Sequence, residues 1–120
     1  MFTGESFLAT ANLLLTHDDE AAWRSAISRA YYAAFWTARD IVEMGGVSAP
    51  RSGGEGSHDS LWDMLVTEYN ASGDSIGEAG RNLKLIRVRA DYRPRPVART
   101  EAQRSVQIAT RLVADLRALT

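Results

Sequence analysis

The sequence predicts an all-α protein, an antiparallel up-and-down four-helix bundle with an additional short helix. Apolar residues recur at spacings of three and four in five successive segments, and no segment sustains period-two alternation. The breaks between segments fall on residues that stop or turn helices, at Gly45-Gly46, Asn70 to Asp74 and Pro94 to Pro96. With 120 residues, the chain suits one domain spanning 1–120 that buries roughly two-thirds of its unfolded surface.

Phe7, Leu8, Ala11, Leu14 and Leu15 place a short amphipathic helix over Ser6 to Thr16. The tight turn His17-Asp18-Asp19 favours an antiparallel pairing of this helix with the next, and His17 reads as a turn residue. The stretch Asp18 to Met44 is the longest helix expected, about seven turns. Acidic residues crowd its start, and Gly45-Gly46 supply a left-handed stop. Trp23, Ile27, Ala30, Tyr31, Ala34, Ala38 and Ile41 share its core face, with Phe35 and Val42 at the edge. The opposite stripe carries Arg24, Ser25, Ser28, Arg29, Arg39, Asp40 and Glu43, interrupted by Tyr32 and Trp36, one turn apart. Two large aromatics on a charged stripe suit an interface.

Residues 45–57, with Pro50 and Ser52-Gly53-Gly54-Glu55-Gly56, are expected to be a flexible Gly-rich loop. A phosphate-binding loop needs a preceding strand and a following lysine, and both are missing. Ser57 is the expected cap of a third helix, His58 to Asn70, with Leu61, Trp62, Leu65 and Tyr69 on one side. A fourth helix starts near Asp74 or Ser75, where Gly77 and Gly80 weaken the first turns and permit close packing. Leu83, Ile86 and Ala90 form one apolar face of it and Leu85, Val88 and Tyr92 another, so neighbours are expected on two sides. Arg87 and Asp91, four apart, are adjacent on its surface. Thr100-Glu101-Ala102-Gln103 has the form of a capping box opening a last helix, striped by Ala102, Val106, Ala109, Leu112, Val113 and Leu116.

The chain has no cysteine, which excludes disulfides, zinc–thiolate sites and thiol nucleophiles. No metal site and no cofactor is expected. No apolar run approaches the ~18 residues of a membrane span and no basic, then apolar leader opens the chain, so a cytoplasmic protein without a membrane partner is expected. The net charge of −1 gives no global affinity for nucleic acid, yet eight of the basic residues gather between Arg81 and Arg104, against only Asp91 and Glu101. Every cation but Lys84 is arginine, the side chain suited to bidentate phosphate or carboxylate contacts.

Ser28-Arg29-Ala30-Tyr31-Tyr32-Ala33-Ala34-Phe35, then Ser57-His58, then Arg87-Val88-Arg89-Ala90-Asp91-Tyr92 resemble, in this order, the HEPN domain family (higher eukaryotes and prokaryotes nucleotide-binding), in its small bacterial and archaeal branch. The resemblance covers nearly the whole chain. It implies a helical bundle, commonly a homodimer, acting in a toxin–antitoxin or defence system. Members include metal-independent ribonucleases that line a cleft with an arginine and a following histidine, and companions of small nucleotidyltransferase proteins. Here Arg87 takes the arginine position, but no histidine comes after it; Asp91 and Tyr92 stand in that place.

Such cleavage needs one group to take the 2′-hydroxyl proton and another to protonate the leaving oxygen. Arg87, Asp91 and His58 are the catalytic candidates, with the acid unassigned unless His58 reaches the site. Binding without catalysis is the main alternative: Arg29, Arg87 and Arg89 would hold phosphate while Tyr32, Trp36 or Tyr92 meets a base of RNA or of a nucleotide. A non-enzymatic subunit that docks a second copy or a nucleotidyltransferase-type partner through Tyr32 and Trp36 is a further expectation. A plainer structural reading pairs Arg29 with Asp91 between helices.

Overall fold

The computed structural model describes residues 2–46 and 55–119. Among these residues are α1 (Ser6–Leu14), α2 (Glu20–Met44), α3 (Glu55–Tyr92) and α4 (Arg99–Arg117), with no strand. α3 is broken at Asn70, whose φ of 51° and ψ of −125° leave the helical region. The result is an all-α bundle with one additional short helix, as the periodicity predicts.

Contacts fix the helix directions. Gly4 abuts Thr37 and Ala33 while Phe7 meets Tyr32, so α1 runs against α2. The first limb of α3 (55–69) runs with α2: His58 stacks on Phe35, and the Tyr69 hydroxyl lies beside Gly45. After the reversal at Asn70, the second limb (71–92) runs against α2, with Arg24 bonded to the Ala90 carbonyl and Tyr31 beneath Arg87. α4 again runs with α2, since Arg99 lies over Trp23 and Arg117 pairs with Asp40. Direction thus alternates at every connection except the one from α2 to the first limb of α3.

The α2 face predicted as core is buried from Ile27 to Val42, and Ala26, Ala33 and Thr37 join it. These additions broaden the buried surface because α1 covers a second side of α2. Thr37 is tolerated there since its hydroxyl donates to the Ala33 carbonyl at 2.7 Å. Trp23 is half-buried, its indole N–H donating to the His17 carbonyl at 2.9 Å.

Several boundaries differ from those the sequence predicts. α1 ends at Leu14, two residues before the expected Thr16, and α2 begins at Glu20 with Asp19 as its cap, accepting from the Ala21 N–H at 3.2 Å. Gly46, at φ 85°, is the left-handed stop. Of the expected loop 45–57, residues 55–57 are helical, so Ser57 lies inside α3 instead of capping it, and residues 47–54 lie outside the described residues. The turn expected over residues 70–74 contracts to Asn70 alone, a residue type that tolerates positive φ. α4 starts at Arg99 with Ala98 at the cap position, so the Thr100 capping box sits within the helix. Pro94 and Pro96 hold the preceding chain extended, and entry to the helix is set there.

The α3 hairpin closes on three glycines spaced four and three apart. Gly73 lies on the Leu65 carbonyl, Gly77 on Val66 and the Trp62 carbonyl, and Gly80 directly beneath the Trp62 ring. A side chain at 80 has no room, because Trp62 is fully buried. Polar ties fasten the hairpin rim: Lys84 pairs with Asp59 at 3.2 Å and Arg81 with Asp63.

Two arginines close the ends of the bundle. Arg24 donates to the carbonyls of Ala90 (2.6 Å), Arg93 (2.9 Å) and Arg95, the acceptors left open where α3 ends. Arg117 donates to both oxygens of Glu5 (2.8 and 2.9 Å) and to Asp40 (2.9 Å), joining α4 to the start of α1 and to α2. Its hydrogen bonds hold the Glu5 carboxyl below the usual carboxylate range.

Gly80→Ala provides a test with an unusual sign. In an ordinary helix interior this change stabilises by about 0.5–1 kcal/mol. Here the added methyl overlaps the Trp62 ring, and urea denaturation is expected to show a loss of about 1–3 kcal/mol.

Candidate functional site

The family-like segments of α2 and both limbs of α3 meet at Tyr31. It stands at the middle of α2, fully buried, on the face that both limbs of α3 cover. A phenol there must find hydrogen-bond partners or bear a desolvation cost. The Trp62 indole N–H donates to its oxygen at 3.3 Å, and its hydroxyl lies 2.8 Å from His58 Nδ1. The indole and the imidazole thus both engage the phenol oxygen, and the tautomer of His58 sets which partner donates in the bond to Nδ1.

Around this core the rings are packed at van der Waals range. The His58 ring stacks on Phe35 with centroids 4.3 Å apart and lies 5.7 Å from Tyr31. The Arg87 guanidinium carbon sits 5.4 Å from the ring centroids of both Tyr31 and Tyr32, a cation–π arrangement strengthened by exclusion of water. Arg87 donates from Nη1 to Asp91 Oδ2 at 3.1 Å, and the Ser28 hydroxyl approaches the same oxygen at 3.4 Å. Arg87 Nε is buried and has no hydrogen-bond partner among the described residues.

The chemistry of the cluster is set by its burial. Removal from water pushes the Tyr31 phenol well above its ordinary range, against the lowering influence of the Trp62 donor and the Arg87 charge. Tyr31 therefore stays a neutral phenol through the physiological range. Arg87 and His58 are each only 5% exposed, so solvent meets the cluster at the exposed Asp91 and the half-buried Tyr32.

The structure brings the three catalytic candidates Arg87, Asp91 and His58 into one cluster, His58 joining through Tyr31 from a separate limb of α3. Tyr32, half-buried, is part of it as a platform for Arg87. The other ligand candidates point elsewhere. Arg29 lies over the Phe7 ring at 5.3 Å, and Asp91 takes Arg87 and Ser28, so the Arg29–Asp91 pair does not form. The cause is local: Arg87 is one turn from Asp91 on the same helix, while Phe7 on α1 offers Arg29 an aromatic face.

Arg89, two residues from Arg87, faces a different side of α3, where its Nε donates to the Leu85 carbonyl. Tyr92 projects outward, 73% exposed. Trp36, 40% exposed, packs edge-on against Phe2 and carries Arg39 over its ring at 5.2 Å. The second apolar face of α3, expected to meet a neighbour, is open at Leu85 and Tyr92. Trp62 and Ser28 are members of the cluster that sequence reasoning did not place there. Trp62 carried a signal in the glycine spacing 73-77-80; Ser28 lay inside the family-like segment.

No group of three or more potential metal ligands and no helix long and apolar enough to cross a membrane occurs among the described residues. No family model, curated protein or solved structure matches the chain.

Tyr31→Phe deletes one oxygen and strands two buried groups, the Trp62 N–H and His58 Nδ1. A loss of about 1–3 kcal/mol in chemical denaturation near neutral pH is expected. Because the folded phenol titrates above its unfolded value of about 10, its stabilising contribution is intact below about pH 10 and declines as pH rises beyond it. Stability of the wild type should fall more steeply than that of Tyr31→Phe over that alkaline range; parallel curves would remove Tyr31 as the buried phenol of the core.

Proposed function

We propose that this chain is a HEPN-type module of a toxin–antitoxin or defence system that binds RNA or a nucleotide at the Arg87–Asp91–Tyr92 edge and does not cleave it. One observation carries the reading: the groups that cleavage would use are engaged inside the cluster. Arg87 is committed to Asp91 and two tyrosine rings, and His58 Nδ1 to the Tyr31 hydroxyl. Proton transfer to a substrate needs the donor within about 3 Å of the reacting oxygen, which a His58 at 5% exposure does not offer. Binding asks less of the same geometry. A phosphate oxygen competes with the partly exposed Asp91 carboxylate for Arg87, and the exposed Tyr92 ring accepts a stacked base.

The open face of α3 supports a second reading, a non-enzymatic subunit. Leu85 and Tyr92 lie seven residues apart on one side of the helix, 55% and 73% exposed, and the family resemblance implies a homodimer or a nucleotidyltransferase-type companion. A second copy of this chain is the partner that this reading names.

Fluorescence anisotropy with labelled single-stranded RNA over a salt series separates the two. The first reading expects binding that weakens as salt rises, no cleavage products, and a loss of about 1–3 kcal/mol on Tyr92→Ala. Tyr92 is the informative site because its exposure leaves the fold untouched, whereas Arg87→Ala also removes buried contacts. Absence of RNA binding, together with a sedimenting dimer that Leu85→Glu dissociates, would select the second reading. Cleavage of RNA by the wild-type chain would overturn both.

A further inference from the structure

A pocket of about 170 Å³ opens between the end of α3, the connection through Arg95 and Val97, and the first turns of α4, on a side of α3 that Arg87 does not face. Its interior is apolar. Ile27 of α2 and Ala90 and Val97 are buried in its floor, and Ile86 and Ile108 form walls. The Ser105 hydroxyl, the polar side chain among the described residues that lies inside, donates to the Glu101 carbonyl at 2.9 Å, so its proton is already committed to the helix.

The rim has the opposite character. Arg89, Arg95 and Arg104 line it, against a single carboxylate, Glu101. Arg95 takes that carboxylate at 3.1 Å. Arg89 uses only its Nε, at 3.4 Å on the Leu85 carbonyl, and Arg104 has neither ion pair nor hydrogen bond among the described residues. Two guanidinium groups thus border an apolar cavity without an anion to neutralise them.

We propose that this pocket binds a small anionic amphiphile: a compact apolar body the size of one aromatic ring, carrying a single carboxylate or phosphate head. The volume sets the body, since an apolar cavity of about 150 Å³ accommodates benzene. The interior sets the orientation, because the proton of the Ser105 hydroxyl is committed to the Glu101 carbonyl and an oxyanion buried there would meet no free side-chain donor among the described residues. The rim sets the charge, as the planar forks of Arg89 and Arg104 present the paired N–H groups that carboxylates and phosphates accept. A neutral ligand of equal shape gains the floor and forgoes the rim; a cation meets two like charges.

The test is a titration of the full-length protein, labelled with ¹⁵N, followed by backbone amide shifts. Benzoate and phenyl phosphate serve as the two anionic probes and benzyl alcohol as the neutral one. Expected are saturable shifts confined to residues around Ile27, Ile86, Ala90, Val97 and Ile108 with at least one anion, at least about tenfold tighter than with benzyl alcohol. The anion that binds more tightly identifies the head group. Arg89→Ala combined with Arg104→Ala, both exposed and both outside the core, should leave the spectrum folded and weaken the anion at least about tenfold. The proposal is overturned by the absence of saturable shifts, by equal affinity for benzyl alcohol, or by affinity that survives the double substitution. Its outcome is independent of RNA binding at the Arg87 edge, which none of these probes reads.

Discussion

The hydrogen-bonded phenol of Tyr31 is the constraint on which much of this structure depends. A hydroxyl at the centre of a helical bundle has no water to fall back on, so each neighbour must come close and in one orientation. Trp62 supplies a donor, which pins the indole plane. The pinned indole then lies across α3's second limb, and only glycine at position 80 leaves space beneath it. Gly77 and Gly73 continue the same close approach toward Asn70, where the chain reverses in a single residue. His58, hydrogen-bonded to the same hydroxyl, fixes how the first limb of α3 lies along α2. The geometry of an entire helical hairpin is tied to one oxygen atom.

Outside the core the bundle is closed by charge placed at helix ends. Arg24 answers the carbonyls that α3 cannot satisfy within itself, a role that a planar group with several N–H donors fills better than an ammonium could. Arg117 plays a related part at the other end of the molecule, where it gathers two carboxylates from α1 and α2. A net charge of only −1 conceals this arrangement. The arginines are spread among helix termini, an aromatic stack and a pocket rim, and so do not form one uniform nucleic-acid face.

Much of the fold was legible in the sequence because a helical period reports which face is buried. Ile27 to Val42, Leu61, Trp62 and Leu65, and the α4 stripe all went where their spacing placed them. What the period cannot report is the partner. Arg24 and Arg29 look alike on the polar stripe of α2, yet one caps α3 and the other rests on Phe7, since only the assembled bundle decides what stands opposite. Gly4 and Thr37 carried no signal for the same reason: their contact joins the chain just before α1 to α2, between residues far apart in sequence. Local chemistry misled in two places. The Thr100 capping box and the Ser57 cap were sound motifs, but both helices begin earlier, at Arg99 and Glu55, with the extended Ala98 backbone leading into α4. For the candidate site, the residues were legible and their state was not: Arg87, Asp91 and His58 do meet, in a cluster whose burial no single-sequence pattern encodes.

That burial bears on how such a cluster could act at all. A group that contributes to stability by being satisfied and dry is poorly placed to exchange protons with a substrate, because each bond it would offer is one the core already uses. Arg87 stands between these roles. Its rings and carboxylate hold it in one place, and a guanidinium fixed in this way is what the proposed recognition of a phosphate requires. Arg89, two residues along, turns away from this cluster and toward a pocket of different shape and chemistry. The twist of a single helix therefore divides neighbouring arginines of the basic segment from Arg81 to Arg104 between a hydrogen-bonded aromatic centre and the rim of an apolar cavity.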